Sequence, residues 1–251
     1  MADETSTVFG IDFYVGDLSA AADVVVSRAR EGLGGYICQC SVHGLMGSRK
    51  DPLIRRAHTE ACIVFPDGAP VAWLERRAGA RQAQRIAGPD LLPLVVDRGR
   101  ATGLRHFFYG GTDGLLTSLE ANLLERFPGA KISGAYAPPT IQPHDLEGVP
   151  EIRAARPHVV WCGLGHPKQE LWMQAQTRAL APALLIGVGA ALEFNAGSKR
   201  RAPCWMQVCG LEWAHRLASE PRRLTGRYLT SNTRFVATVI RERAWRQRSS
   251  P

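Results

Sequence analysis

An aspartate at position 67, in the run FPDG, is a residue whose type and place suggest chemistry. It follows the apolar stretch 62–65. Open α/β sheets bind their ligands at the carboxyl ends of parallel strands, so a carboxylate placed there is a candidate general base. Pro-Asp-Gly is also a plain turn sequence, and the residues alone leave that reading open. His43 follows another apolar run, 36–42, and suits either the same edge or an ordinary structural role. Lys168, Gln169 and Glu170 stand together behind a glycine turn, where they can hydrogen-bond a base or a ribose or form the polar first turn of a helix. Arg85, in QRIAGPDL, precedes a helix and is a candidate phosphate clamp.

These residues need a frame that brings them to one edge. Short β-rich runs at 36–42, 62–65, 104–109, 130–134, 158–162 and 184–188 alternate with helix-patterned stretches, which predicts βαβ units and a mainly parallel sheet. After the run 104–109 come Gly110 and Gly111, with Thr112 or Asp113 placed to cap a helix carrying Leu115, Leu116, Leu119, Leu123 and Leu124. The same order recurs at VVWCGLGHPKQELW, where Gly163 and Gly165 leave room and Pro167 suits a first helical position. Helix N-termini reached through glycine turns can hold phosphates, although such turns also simply reverse the chain. Neither turn matches the GxGxxG fingerprint or the P-loop.

With 251 residues, 45% of them hydrophobic and 22% charged, the chain is an ordinary globular one, which excludes disorder and fibrous repeats. Its formal net charge of +8 implies an acidic partner. Residues 1–196 carry 19 Lys and Arg against 20 Asp and Glu, while residues 197–251 carry 12 against 3, so the surplus is confined to the tail. There Lys199, Arg200, Arg201, Arg216, Arg222, Arg223 and Arg227 outnumber Glu212 and Glu220, and guanidinium groups bind diphosphates bidentately. Leu224, Tyr228, Phe235, Val239 and Ile240 fall near one another on a helix with arginines between them. Such a helix fits an anionic membrane surface, or packs on the core with a solvated arginine face.

Six cysteines without a CxxC pair read as packed thiols, not as metal ligands. The acidic start, MADETSTVFG, has no apolar segment of a secretory signal, and the apolar run 179–192 contains Pro182 and is too short to span a bilayer. The expected location is the cytoplasm.

In order along the chain, FPDG, RIAGPDLLP, FYGG, GLGHPKQELW, GVGAALEFNAG, RAPCWMQVCGLEWAHRL and SEPRRLTGRYL together resemble the WecG/TagA/CpsF family of bacterial glycosyltransferases, from about residue 8 to residue 230. The resemblance implies inverting transfer of a sugar, N-acetylmannosamine in the best-known members, from a UDP donor to an undecaprenyl-diphosphate-linked sugar. Teichoic acids, enterobacterial common antigen and exopolysaccharides are products of such enzymes. It further implies a Rossmann-like core at 1–196, a basic helical appendage at 197–251 that completes the site and reaches the inner face of the membrane, no cofactor or obligatory metal, and a core able to self-associate. By position, Asp67 matches the general base, Arg85 a substrate-binding arginine and Gln169 the glutamine of the UDP pocket, while Arg216, Arg223 and Arg227 match appendage arginines that meet diphosphates.

The chain departs from the family pattern at three places. Where the family strand commonly ends Thr-x-Asn-x-His, QCSVH supplies Gln39 and Ser41 and keeps His43. Gln39 can hydrogen-bond a sugar hydroxyl near the reacting centre. Glu193 stands for the usual aspartate after GVG, one methylene longer in a pocket that reads the nucleotide, so a glucosyl or other hexosyl donor is compatible with the resemblance. Rival classes are an oxidoreductase, an inactive nucleotide-binding homologue and a nucleic-acid-binding module. The first lacks the glycine fingerprint and the last lacks a helix-turn-helix or RNP-like signature, so no nucleic-acid partner is expected.

Overall fold

The computed structural model describes residues 4–139, 142, 145–209 and 211–248, and the side chains at 204, 208, 223, 224, 227–229 and 242–248 lie outside that description. The chain opens with an antiparallel hairpin, β1 (Thr5–Val8) and β2 (Ile11–Tyr14), turning at Phe9 and Gly10 with φ of 51° and 78°. Asp17 caps α1 (Leu18–Arg30) by accepting a hydrogen bond from the Ala20 N–H at 2.8 Å. There follow β3 (Tyr36–Cys40), α2 (Val42–Lys50), α3 (Pro52–Thr59), β4 (Ile63–Pro66), α4 (Ala69–Arg77), α5 (Gly88–Gly99), β5 (Arg105–Tyr109) and α6 (Asp113–Arg126). The core is completed by β6 (Lys131–Tyr136), α7 (Val149–Ala155), β7 (Val159–Cys162), α8 (Lys168–Gln176), β8 (Leu184–Gly187) and α9 (Ala191–Asn195). Three helices end the chain, α10 (Cys204–Val208), α11 (Glu212–Ser219) and α12 (Pro221–Arg248).

Six strands form one sheet in the order β4-β3-β8-β7-β5-β6, and every neighbouring pair is parallel. Each of the six β-rich runs of the sequence is one of these strands. The near-continuous apolar character of β3, β4, β7 and β8 follows from having helices on both faces, while the edge strand β6 carries no buried residue. Phe65, Phe108, Trp161 and Ile186 pack on one face with Val25 of α1, Leu91 and Val95 of α5 and Leu119 of α6. Cys38, Cys40, Cys162 and Leu185 pack on the other with Leu45 and Met46 of α2 and Trp172 and Met173 of α8. These buried cysteines are small apolar residues, and burial raises their thiol pKa values.

The loop after β3 leads to α2 on the second face, whereas the loop after its neighbour β8 leads to α9 on the first. Diverging loops on adjacent strands open a crevice at the carboxyl ends, the topological switch point of an open α/β sheet.

Two boundary differences from the sequence expectation bear on the site. β3 stops at Cys40, and Ser41 takes the extended N-cap conformation of α2, so His43 belongs to the first turn of a helix and does not follow the end of a strand. Pro167 is the N-cap residue of α8, which begins one position later than expected.

The long helix α12 lies against α2. Phe235, 9% exposed, joins the second core cluster with Val239 packed against it, while Val236 and Ile240 remain exposed. Of the two readings of this segment, packing on the core describes the Phe235 stripe. Among the described residues no helix is long and apolar enough to cross a membrane.

Candidate active site

Asp67 is the first residue past β4, with its N–H donating to the Cys40 carbonyl at 3.2 Å. The Ile86 N–H donates to the Pro66 carbonyl at 2.9 Å, which brings the Arg85 segment alongside. Gln39, opposite Phe65 in the β3–β4 register, is buried one residue before the carboxyl end of β3. A methyl built on Gly88 would come within 2.4 Å of Gln39 Oε1 and 3.2 Å of the Val188 carbonyl oxygen, so glycine at the start of α5 is what gives Gln39 its place. Gln39 Nε2 has no hydrogen-bond partner among the described residues. A buried amide left unpaired costs about 1–3 kcal/mol, which a ligand oxygen at this point would recover. A carboxamide is a poor proton carrier, so the chemistry open to Gln39 is donation.

Ser41 and His43 sit at the start of α2, and His43 Nδ1 lies 2.8 Å from Ser231 Oγ on α12. The appendage therefore reaches the carboxyl edge directly.

The glycine turns stack beside one another along that edge. Gly110 has a φ of +115°, and a methyl on it would meet the Gly163 carbonyl carbon at 2.9 Å. A methyl on Gly163 would in turn meet Leu192 at 2.3 Å and the Gly189 oxygen at 3.4 Å. Gln169 Oε1 accepts from the Gly165 N–H at 3.2 Å and from the Gly189 N–H at 3.0 Å, bracing the loops after β7 and β8. Gly111 completes the turn after β5, and Thr112 caps α6 through the Leu115 N–H. Lys168 is exposed whereas Gln169 and Glu170 are buried, so the three do not form a single polar cluster.

Ion pairs tie the last helices to the core. Arg85 pairs with Glu212 of α11, which also lies 3.6 Å from Arg201 Nε, and Arg201 pairs with Asp90 in α5. Lys199 bridges Glu193 at 2.8 Å and Glu220 at 3.0 Å. The Arg216 guanidinium lies over the Phe194 ring, 5.6 Å from its centroid. Arg223 and Arg227 fall on α12, and their side chains lie outside the described residues. Sequence reasoning missed Glu212 as the partner of Arg85, Ser231 as the partner of His43, and Gly88 as the seat of Gln39. Glu212 is part of the GLEW run, but no local spacing links it to Arg85. A cleft of about 510 Å³ flanks Asp90 and Arg201, and Asp67, Gln39 and His43 do not line it.

An open parallel sheet with a carboxylate, a buried amide donor and stacked glycine turns at its carboxyl crevice has the layout of an α/β ligand-binding enzyme. A family model, "Glycosyl transferase WecG/TagA/CpsF family", matches residues 6–249, and the chain belongs to that family of glycosyltransferases. A Bacillus spizizenii relative, "N-acetylglucosaminyldiphosphoundecaprenol N-acetyl-beta-D-mannosaminyltransferase", is 26% identical over 243 residues, covering 96% of this chain and 93% of the relative. A Bacillus subtilis protein of the same name is 25% identical, covering 95% and 92%. One from Staphylococcus aureus strain MW2 is 28% identical over 165 residues, covering 66% and 64%.

Proposed function

We propose that this glycosyltransferase moves a hexosyl residue, N-acetylmannosamine or a related sugar, from a UDP-sugar to a sugar on undecaprenyl diphosphate, in the synthesis of a cell-surface polysaccharide. The observation that carries the reading is the family match, together with Asp67 directly after β4, its N–H bonded to Cys40 of the strand that carries the buried amide of Gln39. In a single displacement the Asp67 carboxylate takes the proton of the acceptor hydroxyl, and the acceptor oxygen bonds to the anomeric carbon from the face opposite UDP. The carbon–oxygen bond to the diphosphate breaks with its electron pair on UDP, and the configuration inverts.

Gln39 donates to a sugar oxygen, with Ser41 and His43 beside it on the rim. Gly110 and Gly111 accommodate the nucleotide phosphates, Gln169 shapes the UDP pocket by holding two of its loops, and Glu193 and Lys168 border it. The leaving diphosphate is stabilised by Arg85, Arg216, Arg223 and Arg227 and by backbone N–H groups, with no metal needed for that step. Residues 1–196 form the catalytic core and 197–251 the appendage that completes the site at the inner membrane face, and copies of the core associate with one another.

Asp67→Asn tests the base. General base help is worth about 10²–10⁴ in rate, so UDP release with a short-chain lipid-diphosphate-sugar acceptor should fall by that factor while UDP binding persists. Unchanged turnover removes Asp67 from the role. Running the same assay over a panel of UDP-sugars identifies the donor.

A further inference from the structure

Beneath α2, where α3 and α8 meet, three side chains outside the proposed reaction converge. One ring nitrogen each of His58 and His166 and one oxygen of Glu170 lie within 4.8 Å of one another. His58 and Glu170 are both 1% exposed. The surrounding hydrogen bonds set the state of each. His58 Nδ1 faces the Ile54 carbonyl oxygen at 2.9 Å, and a carbonyl only accepts, so the proton is on Nδ1. Ser48 Oγ, 3.0 Å from the same nitrogen, donates to the Gly44 carbonyl and can only reinforce that assignment. His58 Nε2 then carries a buried lone pair, and among the described residues it has no hydrogen-bond partner.

Glu170 is polarised in the same way. Its Oε1 accepts from Gln169 Nε2 at 3.1 Å, while Oε2 faces His166 Nδ1 at 3.3 Å in an ion-pair contact without an aligned hydrogen bond. Glycine at 44 leaves the intervening space open. A methyl there would meet Cys40 Sγ at 3.3 Å, His58 Nε2 at 3.6 Å and His166 Cε1 at 3.8 Å.

We infer that His58, His166 and Glu170 bind a divalent metal ion of the zinc type, which staples α3 to α8 under α2. Two imidazoles and one carboxylate are a donor set suited to zinc, with solvent at the remaining position. With metal–ligand bonds of about 2.0–2.1 Å, tetrahedral neighbours stand roughly 3.3–3.5 Å apart, so the His166–Glu170 spacing of 3.3 Å is already right and His58, within 4.8 Å, needs to close in by at most about 1.5 Å. The Nδ1 proton held by a backbone carbonyl and the Gln169 bond to Oε1 are the outer contacts that orient metal ligands. A protonated His166 would neutralise Glu170 but leave His58 Nε2 unserved, whereas a cation serves all three. Burial also holds the His58 pKa below its ordinary value, favouring the neutral, ligating form. The role is structural. The ion would lock Gln169 and the first turn of α2 in place, and the diphosphates are left to the arginines.

The test is cobalt(II) titration of the full-length protein after chelator treatment. The expected result is about one equivalent bound per chain, with visible ligand-field bands that zinc abolishes and a melting temperature raised by zinc. His58→Leu, shown folded by circular dichroism, should lose at least tenfold in cobalt affinity. X-ray absorption of the zinc-loaded wild type, which needs no variant, should show imidazole and oxygen scatterers. The inference fails if folded wild type takes up no cobalt, if His58→Leu keeps wild-type affinity and spectrum, or if the zinc shell lacks imidazole.

Discussion

Glu75, on α4 and fully buried, has neither carboxylate oxygen hydrogen-bonded among the described residues. Desolvation raises its pKa from 4.5 to about 8, the nearby Arg76 opposing this only in part. Between those values the folded chain holds a proton that the unfolded chain has released. Stability present below the unfolded pKa is therefore lost as pH rises towards the folded pKa, by up to about 1.4 kcal/mol per pH unit. Glu75→Gln should flatten that slope and leave the protein more stable than wild type at pH 8 but not at pH 4, as read by urea unfolding at the two pH values. Glu75 gave no warning in the sequence, because its surroundings, AWLERR, read as an ordinary exposed helix face. The place of Asp67 directly after a strand of the parallel sheet was legible because the apolar run 62–65 ends just before it. The Arg85–Glu212 pair was not, since its members are 127 residues apart and only the fold unites them.

Five of the six sheet strands could be read from apolar runs because burial on both faces leaves them little polar character, whereas the edge strand β6, KISGAY, has no buried residue. The β1–β2 hairpin escaped that reading. Its strands have four residues each, and its turn uses Phe9 and Gly10 in place of the Asn-Gly type that marks such turns. The periodicity of α12 indicated a helix but left two partners open, lipid or core, and Phe235 answers for one stripe by packing with the second cluster. Docking then rests on Phe235 and on the His43–Ser231 contact. Replacing Phe235 with Ala should weaken the docking by about 3 kcal/mol. Limited proteolysis is expected to cut within α12 sooner in this variant, with the thermal transition of the sheet core little changed. Equal cleavage of wild type and variant would show that Phe235 does not hold the helix.

Across the whole molecule the net charge of +8 divides into a nearly neutral first 196 residues and a strongly basic tail. The ion pairs sharpen that division. Lys199 pairs with Glu193 and Arg201 with Asp90, so part of the surplus holds the tail to the core, while the contacts of Lys199 with Glu220 and of Arg201 with Glu212 lie within the tail. Attraction of the remainder to an anionic surface should weaken as salt screens it over a Debye length of about 8 Å at physiological ionic strength. Co-sedimentation with phosphatidylglycerol vesicles should fall steeply between low and high salt and vanish on deletion from Pro221. Retention of the truncated protein on the vesicles would count against the tail as the anchor.

The stacked turns at Gly110, Gly163 and Gly189 set a limit of another kind. With no room for even a methyl group between the first two, the crevice floor tolerates little sequence drift, and a substitution there disturbs folding before it alters ligand choice. On the proposed function, changes in ligand preference would then arise away from these turns, at side chains that border the site while the floor stays fixed.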